Sequence, residues 1–150
     1  MVEFALVAPV FFLLLFAVIE GGRFVFYYET LANATREGAR YAIVHGWKSY
    51  CPSGPMPPSE ATPTSCYDAD GSKVAQRVEQ SAFGVMGAAG SPLACAAALC
   101  VEKGSQMWPD GNNGPGQKVH VQAVYTYRIL LPLPFPPISM SAESTLVINN

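Results

Sequence analysis

Between Glu3 and Glu20 the chain reads FALVAPVFFLLLFAVI (residues 4–19), sixteen consecutive positions without a polar side chain. As a helix rising about 1.5 Å per residue this run is roughly 24 Å long, somewhat short of the roughly 30 Å hydrocarbon core of a bilayer. A cleaved secretory signal would carry a small-residue cleavage site after its apolar region. Here Glu20-Gly21-Gly22-Arg23 follows instead, and helix-compatible sequence then resumes. The run therefore predicts a retained hydrophobic helix. Pro9 removes one backbone donor inside it and predicts a kink or local unwinding. Gly21-Gly22 is a second soft spot, each Gly costing about 1 kcal/mol relative to Ala in a helix interior.

Beyond Arg23 the pattern becomes amphipathic. Phe24, Tyr28, Leu31, Thr35, Ala39 and Ala42 recur at spacings of three and four, which puts them on one helical face. Glu29, Asn33, Arg36 and Arg40 form a neighbouring polar stripe, and Glu37 stands at pairing distance from Arg40. Gly46 is the expected stop. Residues 1–46 thus read as one helix, oily and then amphipathic, about 1.5 Å per residue and roughly 60 Å long. A compact chain of 150 residues cannot enclose it. It must protrude.

The composition agrees. Only 13% of residues are charged and 50% are hydrophobic, whereas ordinary soluble domains carry roughly 25% charge. Such a chain hides surface in lipid, in an assembly, or in both. The net charge of −2 supplies no footprint for a phosphate backbone, so no nucleic-acid partner is expected.

Residues 47–150 read as a separate head. Five prolines within 52–65 mark a loop. A short helix is expected from Ser72, as N-cap, to about Gly87 on the apolar positions Val74, Val78, Ala82 and Val85 or Met86. Residues 104–118 form a second loop, rich in Gly, Pro and Asn. Alternation from Val119 to Ile129, and again from Ala142 to Ile148, predicts two antiparallel strands across a Pro-rich connection, with a third strand near Ala98–Glu102. The fold class is α+β: a long protruding N-terminal helix carrying a small antiparallel sheet with disulfide-tied loops.

Cys51, Cys66, Cys95 and Cys100 all follow the apolar run. An even number in a small loop-rich domain points to disulfides and an oxidising exterior. Three pairings are possible; Cys51–Cys66 with Cys95–Cys100 is favoured because each closes a short loop with little core of its own. The competing four-Cys zinc site fits less well, since structural ligands come in tight C-x₂₋₄-C pairs. His45 and His120 are far apart, and no Ser or Cys stands in a nucleophile motif, so neither a catalytic site nor a cofactor is expected. Asp68-Ala69-Asp70-Gly71 lacks the downstream Glu of a calcium loop and reads as a surface turn. Asn33-Ala34-Thr35 fits a glycosylation sequon but lies mid-helix.

The segment VEFALVAPVFFLLLFAVIEGGRFVFYYETLANATREGARYA resembles the amino-terminal signature of TadE-like pseudopilins, the tight-adherence branch of the type IV pilin superfamily. The matching positions are Glu3-Phe4, Pro9, Glu20, Gly22-Arg23, Ala34 and Arg36-Glu37-Gly38-Ala39-Arg40, within about the first 42 residues. In that superfamily the glutamate is usually the fifth residue of the mature chain, after a basic leader ending in Gly; here it stands third. The resemblance implies a prepilin peptidase substrate, held in the inner membrane by its helix and then moved by the pilus assembly machinery into a homo-oligomeric helical filament. On that reading Glu3, Phe4 and Pro9 serve assembly and register. Glu3 stands at the edge of the apolar run, where a carboxylate is expensive in lipid unless paired, and a neighbouring subunit's α-amino group would pair it. Glu20, Arg23, Arg36, Glu37 and Arg40 are the expected contacts between subunits or between stalk and head. Phe24, Phe26, Tyr27 and Tyr28 suit either a membrane-interface belt or packing where stalk meets head.

Two functional classes result. The first is a structural, non-enzymatic pilin or pseudopilin of an extracellular Tad-type filament that supports surface adhesion. The second is a single-pass anchored extracytoplasmic binding domain that never polymerises. A full span of about 20 residues with flanking positive charge would suit the second; an interrupted run of 16 with Glu3 at its end suits the first.

Overall fold

The computed structural model describes residues 2–57, 65–82, 99–130 and 136–149, with the backbone alone at residues 2, 3, 5 and 6. Helix α1 runs Val2–Val44, 43 residues, or roughly 64 Å at about 1.5 Å per residue. It is continuous through Pro9 and through Gly21-Gly22. It ends two residues before the expected Gly46, with the His45 N–H shared between the carbonyls of Tyr41 and Ala42. No left-handed glycine closes it.

Among the described residues, helix α2 (Ser72–Ala82), strands β1 (Leu99–Val101), β2 (Lys118–Tyr127) and β3 (Ile138–Val147), and a 3-10 turn at Gly104–Gln106 follow. The sheet is antiparallel in the order β1-β2-β3. Lys118 faces Val147 at one end and Tyr127 faces Ile138 at the other. β3 starts earlier than the alternation from Ala142 indicated. The ladder resumes at the first position after Pro137, because only the prolines lack the backbone donor. Along β2 the alternation is real: Val119, Val121, Ala123, Tyr125 and Tyr127 form the buried face.

The core lies between this sheet, α2 and the second half of α1. Leu31, Ala34, Thr35, Ala39 and Ala42 are buried on α1. Tyr28, expected on that face, is exposed, and Tyr27 turns toward the sheet in its place. The small residues have a reason. A Cβ on Gly38 would stand 2.3 Å from Val78 Cγ2, so α2 crosses α1 where α1 offers no side chain. Val74, Ala75, Val78 and Ala82 form the buried face of α2.

Ser72 does not cap α2 with its own side chain. The Asp68 carboxylate accepts from the Ser72 N–H at 3.0 Å, the Ser72 hydroxyl at 2.8 Å and the Lys73 N–H at 2.8 Å. It satisfies donors that every helix start leaves open. The Asp68–Gly71 turn is therefore a capping turn.

At the end of the head away from the start of α1, the loops knot around Trp108, which is 1% exposed. Gly54, at φ +101°, lies so close that a Cβ would fall 2.3 Å from Trp108 Cε2. Asn113 is buried and ties three segments: its Nδ2 donates to the Ser53 carbonyl, its N–H to that of Pro55, and its carbonyl accepts from the Trp47 N–H. The Cys51–Cys66 disulfide closes the same region, and a loop of that length contributes about 3 kcal/mol by chain entropy. Cys100 is disulfide-bonded as well. Its expected partner Cys95 lies outside the described residues, as does the 83–87 continuation of the short helix.

Gly38→Ala is expected to lower stability by about 1–3 kcal/mol through overpacking, read from the urea midpoint in detergent micelles. Adding Val78→Ala should recover part of the loss, because the two sites share one contact. Gly22→Ala, whose Cβ meets nothing within 4 Å, should leave the midpoint unchanged or raise it.

Candidate functional site

Among the described residues the first half of α1 packs against no other element. From Phe4, 79% exposed, to Ile19, 47% exposed, its described large apolar side chains all face outward. A helix apolar on every side is stable only when something else surrounds it, and no soluble monomer carries so large an apolar surface to water. Helix α1 is long and apolar enough to cross a membrane.

The bare segment ends at Glu20. Its Oε1 accepts from the Tyr127 hydroxyl and, at 3.2 Å, from the Leu130 N–H. Its Oε2 accepts from Arg23 Nη1 at 3.1 Å. The Arg23 guanidinium stands 5.9 Å from the Tyr27 ring centroid and 5.8 Å from that of Tyr127, within cation–π reach. Tyr27 stacks on Tyr125 at 5.5 Å, while Phe24 meets Tyr127 edge-on at 5.7 Å. Two helical turns of α1, Glu20 to Tyr27, are thus joined to the end of β2 and the residues just after it by two hydrogen bonds and an aromatic cluster, with the Arg23–Glu20 pair inside the helix beside them. Because β2 runs back along α1, the far end of the strand lands where the apolar run stops.

Burial, then the hydrogen bond to Glu20, pushes the Tyr127 hydroxyl from 10.0 up to about 12. Burial also raises Tyr125. The neutral phenol is the form that donates, so Tyr127 keeps its proton for this contact at neutral pH, and the Tyr127 hydroxyl in turn holds the Glu20 carboxyl below the usual glutamate range.

The other residues singled out from sequence are placed as follows. Glu3 has no described side chain. Phe4 and Pro9 lie exposed on the bare segment. Arg36 is exposed and hydrogen-bonds Asn33 at 3.4 Å. Glu37, placed for Arg40 by spacing, instead meets Arg77 of α2 at 2.9 Å. Both partners are more than a third exposed, so that pair contributes only about 0–1 kcal/mol. Arg40 stays exposed. Of the four aromatics, Phe24 and Tyr27 pack against the head, whereas Phe26 and Tyr28 face outward. Thr35 of the sequon is buried and bonds the Ala32 carbonyl. Among the described residues no group of three or more His, Cys, Asp or Glu could hold a metal ion.

Sequence reasoning missed Tyr127 and Leu130 as partners of Glu20. The signal was faint: Tyr125 and Tyr127 share one strand face, at the height of a helical segment rich in Phe and Tyr. The Trp108 knot was missed also; Met107-Trp108, two large apolar residues inside a Gly/Asn loop, was the available sign.

Tyr127→Phe should cost about 1.5–3 kcal/mol, the worth of a hydrogen bond to a charged acceptor. The pH dependence has a defined sign. An unfolded tyrosine ionises near 10.0 while Tyr127 holds its proton to about 12. Its contribution is therefore whole below pH 10 and is lost as the pH climbs toward 12. Urea midpoints measured across that window should fall less steeply for Tyr127→Phe than for the parent chain.

Comparison with curated proteins gives no match, and comparison with solved structures gives none either. Residues 1–40, which comprise the bare apolar run, the Glu20 junction and most of the packed half of α1, match the TadE-like protein family.

Proposed function

We propose that this chain is a membrane-anchored structural subunit of a Tad-type, type IV pilus-like apparatus, and that its α1 helices pack together into an extracellular filament that supports surface adhesion. The observation that carries the reading is the exposure of the described large apolar side chains between Phe4 and Ile19 beside a head folded onto the other half of α1. Lipid covers such a surface before assembly, and the same surface on other copies covers it afterwards. The TadE-like match over residues 1–40 supports the same reading.

In this account residues 1–46 supply the anchor and the filament core, and residues 47–150 form the head on the outside. The disulfides of the head suit an oxidising exterior. The subunit waits in the inner membrane, where prepilin peptidase and the assembly machinery act on it. Glu3 then pairs with the α-amino group of a neighbouring copy and sets axial register. Phe4 and Pro9 lie at the same contact, and the exposed Arg36 and Arg40 bridge to adjacent heads. No catalytic step and no cofactor enter this role.

The test is electron microscopy of material sheared from the cell surface, with mass spectrometry to identify the chain. Filaments composed mainly of this chain are expected. Glu3→Ala should abolish them while the protein persists in the membrane fraction. Filaments with only traces of the chain would make it a minor or tip subunit. Confinement to the membrane with no filament would overturn the polymer reading and leave an anchored extracytoplasmic binding domain.

A further inference from the structure

We propose that, while the chain is held in the membrane, the base of its head is seated in the lipid headgroup layer through Leu130, Ile138 and Arg128 at the end of the sheet where Tyr127 pairs with Ile138. This inference rests on the reading of residues 4–19 as a membrane span and adds a second lipid contact to it.

No spacer separates the span from the head. The Leu130 N–H lies 3.2 Å from the carboxylate of Glu20, the first residue after the apolar run. The headgroup layer on each face of a bilayer is roughly 5–7 Å deep, so a residue bonded to Glu20 falls within it. The span is also short. Its sixteen residues cover roughly 24 Å against a core of about 30 Å. A short span thins the bilayer or draws its flanking residues inward, and what flanks this one is the base of the head.

The side chains there suit that place. Leu130 is 72% exposed although it is apolar, and Ile138, paired with Tyr127 at the same end of the sheet, is 42% exposed. Arg128 is exposed beside them, and its guanidinium can reach lipid phosphate as a fork of donors. An apolar tip flanked by arginine, continuous with a membrane span, matches the interfacial zone of an anionic bilayer.

The full chain would be placed in nanodiscs of phosphatidylethanolamine and phosphatidylglycerol, with one nitroxide spin label per variant at Leu130→Cys, Phe11→Cys or Asn149→Cys. Relaxation by oxygen, which enriches in lipid, is compared with relaxation by a water-soluble nickel chelate. Asn149 follows the end of β3 that pairs with Lys118, so it marks the far end of the sheet. The expected result is oxygen dominance at 11 and 130 and several-fold nickel dominance at 149. Oxygen dominance at 11 with a water-like signal at 130 would overturn the seated head and leave the span intact. Water-like signals at both 11 and 130 would overturn the span, and the seating with it. Leu130 is exposed and outside the core, so its replacement leaves the fold in place; circular dichroism of each variant checks that.

Discussion

A carboxylate at the end of a sixteen-residue apolar run is costly unless donors meet it. At Glu20 three of them do: the Tyr127 hydroxyl, the Leu130 N–H and the Arg23 guanidinium. Two of the three belong to the head. The group that ends the apolar half of α1 is thus also the group that holds the base of the sheet. Below it every described large side chain faces outward; above it the helix is progressively enclosed. The division of α1 into a bare half and a covered half follows from where that contact falls.

The covered half depends on small residues. A three-stranded sheet and one short helix can cover about 20 residues of α1 only by lying close to it. Ala34, Gly38, Ala39 and Ala42 allow this. At Gly38 the approach is closest, with Val78 occupying the space that a side chain would need. The opposite end of the head is held differently. There the loops carry little regular structure, so one large ring, Trp108, replaces a layered core. Gly54 supplies both the positive φ and the vacancy that the ring requires, and Asn113 substitutes for a ladder of backbone bonds. The disulfide between Cys51 and Cys66 reduces the freedom of the unfolded loop that this knot must order.

The parts legible in sequence are those with a period. Apolar positions at spacings of three and four located the buried face of α1 through Leu31, Thr35, Ala39 and Ala42. Alternation located the inner face of β2 and the pairing of β2 with β3. The failures have local causes. Tyr27 and Tyr28 are both acceptable to a helical face, and only the position of Tyr125 across the gap decides which turns inward. Ser72 has the chemistry of an N-cap, but the Asp68 carboxylate reaches the same donors from outside the helix. Glu37 has Arg40 within one turn, yet α2 delivers Arg77 to the same carboxylate. In each case the spacing is satisfied by more than one partner, and a contact distant in sequence makes the choice. The Glu20 junction is the extreme of this: Tyr127 stands 107 positions away, and no periodicity connects the two.

The junction also bears on how an assembly of such chains would be organised. From Glu3 to Glu20 the helix rises by roughly 25 Å at about 1.5 Å per residue, without a break in its regular structure. At Glu20 the head is joined by two hydrogen bonds and a cluster of aromatic rings, rather than by a linker. A single hydrogen-bonded contact would let the head pivot; a cluster of rings locked between β2 and α1 resists rotation about the helix axis. Whatever fixes the axial position of the N-terminal end therefore fixes the height and facing of the head as well. In an assembly of such subunits, a register set at the N-terminal end would reach the head through one continuous helix.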